Sequence, residues 1–159
     1  MTLAGPERPG QDTPAAPPTA GVVLAVAGDV PKPLKLTAAE FWRLPRQAVR
    51  AKDRDGKEAE FEGVPLVEVL KAAGVKFGQE LRGPALATYL VVEASDHYRA
   101  VFALPELDPA FTDRVILLAD RREGKPLAGN EGPLRVIVPG EKRHSRWVRQ
   151  VVALRIGRG

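Results

Sequence analysis

Apolar residues recur along the chain in short runs broken by Gly, Pro and Asp, a pattern of strands and tight turns rather than of long helices. Val22–Ala27 predicts a strand, and Gly28–Pro33 a turn into a short strand over Leu34–Leu36. Thr37 with Glu40 three residues on predicts a capping box, opening a helix from Ala38 to about Leu44 that Pro45 ends. Gln47–Lys52 and Lys57–Phe61, joined by Asp53-Arg54-Asp55-Gly56, predict a hairpin. Leu66, Val69 and Leu70 recur at helical spacing, with Pro65 suited to a first turn and Gly74 to a C-terminal cap. Lys76–Pro84 predicts a loop. Ala87–Glu93 and Tyr98–Leu104 predict a second hairpin, Pro105–Thr112 a helical turn, and Val115–Ala119 a buried strand. At the C-terminal end, Leu134–Val138 stops at Pro139-Gly140, a basic loop runs from Glu141 to Arg146, and Trp147 opens a last strand over Val148–Ile156.

The sum is about eight strands and two or three short helices in a mixed, mostly antiparallel sheet assembly, an α+β fold. Met1–Gly21 holds five of the fifteen prolines and has no apolar period, so it reads as a disordered leader or linker before one domain over residues 22–159.

Charge adds a polarity that the element pattern lacks. The chain carries +4 overall; residues 140–159 hold six Lys or Arg against one Glu, a net +5, so the rest sums to −1. A basic end suits an anionic ligand or an acidic partner. Basic and aromatic residues do not interleave as a nucleic-acid surface requires, so nucleic acid is not an expected partner. The longest uncharged run, Thr13–Gly28, contains three prolines and is shorter than the ~18 residues of a membrane span. No cysteine is present, which removes disulfides, thiolate nucleophiles and thiolate metal ligands. The two histidines, His97 and His144, do not make a His-rich zinc site, and no metal site is expected.

Gly132-Pro133-Leu134-Arg135-Val136-Ile137-Val138-Pro139-Gly140, followed by a basic loop and Trp147, resembles a signature of the molybdopterin domain of the sulfite oxidase and nitrate reductase family. Gly63-Val64-Pro65-Leu66 with the helix that leads to Gly74-Val75, and Ser95-Asp96-His97-Tyr98 with His97 where glycine is common, resemble two further blocks. The resemblance covers most of Val22–Ile156 and implies a reduced version of a considerably larger domain. It implies a molybdopterin cofactor, a basic loop at the pterin phosphate, and one cysteine ligating molybdenum from the segment before the Gly-Val-Pro-Leu helix. Here that segment, Ala48–Gly56, has no cysteine. Bacterial members of the family are frequently exported, so the resemblance carries an expectation of a periplasmic or exported location if a signal peptide was removed, and of a cytoplasmic one otherwise.

The candidate cofactor-binding residues are Lys142, Arg143, His144 and Arg146 of the basic loop, with His97 and Arg99 on the second hairpin as a rim. Arginine forks match the oxygens of phosphate or sulfate, which makes the loop a clamp for a small anionic ligand or pterin; the same residues also suit a solvated loop. Ser95-Asp96-His97 is not a catalytic triad, because adjacency in sequence does not supply triad geometry. The expected function is a molybdopterin-domain-like protein that binds an anion or pterin without redox chemistry of its own. The alternatives are a molybdenum-cofactor-dependent oxidoreductase with an atypical metal site or a partner subunit, and a ligand-free interaction module.

Overall fold

The structure, a computed structural model, describes residues 21–159. The leader expected over Met1–Gly21 lies, except for Gly21, outside the described residues. The fold is α+β, with ten strands and two short α-helices among the described residues. Strands β1 (Val22–Gly28), β2 (Leu34–Thr37), β5 (Thr88–Ala94), β6 (Arg99–Ala103) and β10 (Val151–Arg158) form one sheet in the order β2-β1-β10-β5-β6. Within it only β1 and β10 run parallel. The second sheet contains β3 (Gln47–Lys52), β4 (Glu58–Pro65), β7 (Leu117–Arg122), β8 (Lys125–Pro126) and β9 (Arg135–Ile137). There β7 pairs with β4 on one side, and with β9 and β8 along successive halves of its other side.

Alternation explains both sheets. Leu24 and Val26 of β1, Leu90 and Val92 of β5, Phe102 of β6, and Leu154 and Ile156 of β10 point inward, and the residues that alternate with them are less buried. Ala59 and Phe61 of β4 meet them from the second sheet, with Leu117–Ala119 of β7 and Val136 and Ile137 of β9, in one continuous core. Burial of each full Leu or Phe side chain contributes about 1.5–3 kcal/mol.

Helix α1 (Ala38–Trp42) starts with the predicted capping box: Thr37 Oγ1 accepts from the Glu40 amide at 3.1 Å, and Glu40 accepts from the Thr37 amide at 2.9 Å. It ends at Trp42, two residues short of expectation. Helix α2 (Leu66–Ala72) turns Leu66, Val69 and Leu70 into the core, and Gly74 follows with φ of +88°. Gly63 allows the close approach of β4 to β7: a Cβ there would lie 2.1 Å from the Leu118 carbonyl oxygen.

The mixed, mostly antiparallel assembly divides into two five-stranded sheets. Two strand boundaries change. The strand expected over Val115–Ala119 lies at Leu117–Arg122; its polar end is held because Arg121 packs over Trp42 at 4.8 Å and Arg122 reaches Asp53 at 3.4 Å. The last strand begins at Val151, because Gln150 takes a left-handed φ of +52° and turns the chain between sheets. The strand before the basic loop therefore belongs to one sheet and the strand after it to the other.

Candidate functional site

The C-terminal segment crosses from the second sheet to the first, and a cleft of about 320 Å³ opens beside this crossing. Its walls come from separate parts of the chain: Arg54 in the β3–β4 turn, Asp96 and Tyr98 in the β5–β6 turn, Asn130 before β9, and His144–Gln150 of the crossing segment apart from Arg146. Local chemistry shapes each wall. Asp96 Oδ1 accepts from the Tyr98 amide at 3.0 Å, and His97 takes φ of +73°, a left-handed conformation that explains why glycine suits that position. The Tyr98 hydroxyl donates to the Ser145 carbonyl at 2.5 Å, which fastens this hairpin to the basic loop.

His144 Nε2 donates to the Lys52 carbonyl at 3.0 Å, and its ring lies tilted against Trp147 with centroids 4.2 Å apart. A carbonyl can only accept, so this contact places a proton on Nε2 and turns Nδ1 away from that bond. Gln150 Nε2 donates to the Gly129 carbonyl at 3.0 Å, joining the crossing segment to the loop before β9. The guanidinium groups of Arg54 and Arg149 make no hydrogen bond or ion pair with the described residues, and the Arg149 Nε is buried without a partner. Asp96 is the one carboxylate on the walls. The cleft is thus polar and net positive, lined by two arginines whose guanidinium groups have no partner among the described residues.

The sequence-based candidates separate in space. His144 lines the cleft, whereas Lys142 and Arg143 are exposed on the loop beyond the residues that line it. Arg99 is exposed on β6, and His97 points outward with its Nδ1 3.2 Å from Glu93 Oε2. Arg146 faces the other way. Its Nε and Nη2 donate to Glu141 at 3.2 and 2.7 Å, and Nη1 and Nη2 donate to Glu106 at 3.3 and 3.0 Å. Nη1 also donates to the Val101 carbonyl at 2.9 Å, so every N–H of this guanidinium is engaged. The group lies 4.3 Å over the Phe102 ring. Hydrogen bonding to Glu141, opposed by burial and reinforced by Glu106, raises its pKa further above the ordinary arginine value. Burial pushes the Glu106 carboxyl up, but Arg146 and the Ala103 amide hold it below its usual value. Arg146 anchors the loop to β6, and an anion would have to displace carboxylates to reach it.

Of the residues lining the cleft only His144 belongs to the candidate set; the polar ones missing from it include Arg54, Asp96, Tyr98, Asn130, Arg149 and Gln150. Arg54 sat in a turn signal and Arg149 in an expected strand, and nothing in their spacing joins them. Behind them, Arg135 is 1% exposed and donates to Asp53 at 2.9 and 3.2 Å and to Glu131 at 3.0 Å. Burial pushes the Asp53 carboxyl up, but the Arg135 fork, the Arg54 amide and Arg122 outweigh it and hold its pKa at about 2. Among the described residues, no group of three His, Cys, Asp or Glu side chains is arranged to hold a metal, and no helix is long and apolar enough to cross a membrane.

The family model described as "Oxidoreductase molybdopterin binding domain" matches residues 12–156. Among solved structures, the sulfane dehydrogenase SoxCD from Paracoccus pantotrophus is similar, with a TM-score of 0.66 at 25% sequence identity. The likeness covers 84% of this chain and 37% of that one, so the chain spans little more than a third of its structural relative. No curated protein is matched.

Proposed function

Because this chain belongs to the oxidoreductase molybdopterin-binding domain family, we propose that its cleft binds a small anionic ligand, a pterin phosphate or another oxyanion, without redox chemistry of its own. The observation that carries this reading is that Arg54 and Arg149, whose guanidinium groups have no partner among the described residues, line one polar cleft. An arginine fork facing phosphate forms charge-assisted hydrogen bonds stronger than neutral ones. His144 and Tyr98 fasten the basic loop to Lys52 and to the β5–β6 turn, and exposed Lys142 and Arg143 add positive potential at the approach.

The family's cofactor divides into a part that fits and a part that does not. The phosphate end matches the cationic cleft. The metal end needs a soft thiolate in the segment Ala48–Gly56, and the chain has no cysteine. Asp53 in that segment is a hard donor, and Arg135 already occupies both of its oxygens. No step through molybdenum is derived from these residues.

A second reading is an oxidoreductase in which another chain or domain completes the site. The coverage of only 37% of the SoxCD chain favours it. Production in a host that makes molybdenum cofactor, with molybdate supplied, separates the two. Molybdenum is measured by mass spectrometry and pterin by the fluorescence of its oxidised derivative. Pterin or inorganic phosphate bound without molybdenum, and lost in Arg54→Ala/Arg149→Ala, supports the anion-binding reading. Near-stoichiometric molybdenum overturns it in favour of the second. A folded protein that binds neither pterin nor phosphate overturns the anion-binding reading and leaves an interaction module, for which the exposed Lys142 and Arg143 would be the basic surface.

A further inference from the structure

One buried guanidinium touches three walls of the cleft from behind. Arg135, on β9, donates through Nη2 to Asp53 Oδ1 at 2.9 Å, and through Nη1 to Asp53 Oδ2 at 3.2 Å and Glu131 Oε1 at 3.0 Å. Its third neighbour is the Trp147 ring, 5.3 Å from the guanidinium carbon. Asp53 adjoins the cleft residue Arg54 and accepts that residue's amide at 2.7 Å. Glu131 adjoins the cleft residue Asn130, and its carbonyl accepts the Gln150 amide at 2.9 Å. Trp147 opens the wall that carries Arg149 and Gln150.

We infer that Arg135 is the positioning residue of this cleft: without lining it, the side chain sets the relative placement of Arg54, Asn130 and the Trp147–Gln150 wall. The inference rests on reading the cleft as an anion site, and extends it to a residue that reading does not use. Two features of the cluster favour positioning over simple stabilisation. A buried ion pair is weak evidence for stability, since apolar groups of similar volume often serve as well. A planar fork, by contrast, fixes direction as well as distance, which a lysine ammonium cannot do for two carboxylates at once. The charges also cancel locally. Asp53 and Glu131 face Arg135, and Arg122 reaches Asp53 at 3.4 Å, so the cluster leaves the positive charge of Arg54 and Arg149 available in front of it.

The test compares wild type with Arg135→Lys, Arg135→Met and the triple variant Asp53→Asn/Glu131→Gln/Arg135→Met. Three quantities are read on each: the melting temperature, the affinity for inorganic phosphate, and the fluorine NMR resonance of 5-fluorotryptophan at Trp147, assigned with Trp42→Phe. Arg135→Met leaves two carboxylates buried without their partner, so its melting temperature falls. The triple variant removes those charges and recovers most of the loss. Its phosphate affinity stays about tenfold below wild type, the scale expected when a residue supporting a binding group is lost, and its Trp147 resonance stays displaced. Arg135→Lys keeps the charge but loses affinity. Wild-type affinity and an unmoved Trp147 resonance in the triple variant would overturn the inference, even if Arg135→Met alone fails to fold. If wild type binds no phosphate, the anion reading fails by itself, and the Trp147 resonance alone decides the role of Arg135.

Discussion

Arg146 and Arg149 lie three residues apart in one basic segment, and the fold gives them opposite roles. Arg146 has all its donors engaged by Glu106, Glu141 and the Val101 carbonyl. Arg149 lines the cleft with no partner among the described residues. The net charge of a segment therefore says little about the charge it can offer a ligand. Arg158 pairs with Asp29, so the basic C-terminal end is further neutralised by carboxylates supplied from elsewhere in the chain. The arginines of this protein fall into a group used by the fold and a group left for solvent or ligand. Substitution should sort them the same way, the first by stability and the second by binding, with Arg135 moving both because it positions the cleft from behind.

The largest effect belongs to the most buried member of the first group. Arg135→Ala should lower the unfolding free energy by about 3–5 kcal/mol, because Asp53 and Glu131 are left as uncompensated carboxylates. Denaturant unfolding measures it, and a loss below that of Arg146→Ala would break the proposed division. The Asp53 partner gives a pH signature of the same contact. Its folded pKa of about 2 lies below the ordinary carboxyl value of 3.8, so its contribution is fully present above the unfolded value and disappears as pH falls from about 4 to 2. That contribution is about 2 kcal/mol. Acid unfolding of wild type should therefore be steeper in that window than that of Asp53→Asn; parallel curves would remove Asp53 from the account. Arg146→Ala comes next, at about 1–2 kcal/mol for a partly exposed network. Its phosphate affinity should match wild type, and weakened binding would return Arg146 to the ligand site.

How much of this was legible in the sequence depended on the range of the interaction involved. The Thr37–Glu40 box, the Asp53–Gly56 turn and the α2 helix with Gly74 behind it were readable, because each is set by neighbours a few residues away. The Gly132–Gly140 signature and Trp147 carried the family, which the match over residues 12–156 shows. The assignment of β9 and β10 to different sheets was not readable. Gln150 adopts its left-handed turn through long-range bonds, with its amide on the Glu131 carbonyl and its carbonyl accepting from the Ser95 amide. Glutamine itself carries no signal for that conformation. Arg149 lines the cleft just before that turn, and the β3–β4 hairpin brings Arg54 to the same cleft from far away in sequence. Spacing along the chain contains no trace of their convergence. The loop residues Lys142, Arg143, His144 and Arg146 were visible as a charge cluster, but only the folded chain shows which acceptors each one already has.

The smallest expected stability change is the sharpest test of the comparison. Arg149→Ala removes a guanidinium that supports no hydrogen bond among the described residues, so unfolding should shift by no more than about 0.5 kcal/mol. Its buried Nε even gives up an unsatisfied donor, which offsets the packing lost with the side-chain stem. Phosphate binding, in contrast, should weaken about tenfold, since a charge-assisted hydrogen bond to an anion contributes about 1.5–3 kcal/mol. Arg149→Lys should recover part of that loss through charge alone, but not the fork geometry. Titration calorimetry on Arg149→Ala beside Arg146→Ala reads the contrast directly. The two should cross over, one changing affinity at nearly constant stability and the other stability at constant affinity. If both lower stability and neither changes affinity, Arg149 belongs with the arginines used by the fold, and the cleft loses the cation that distinguishes it.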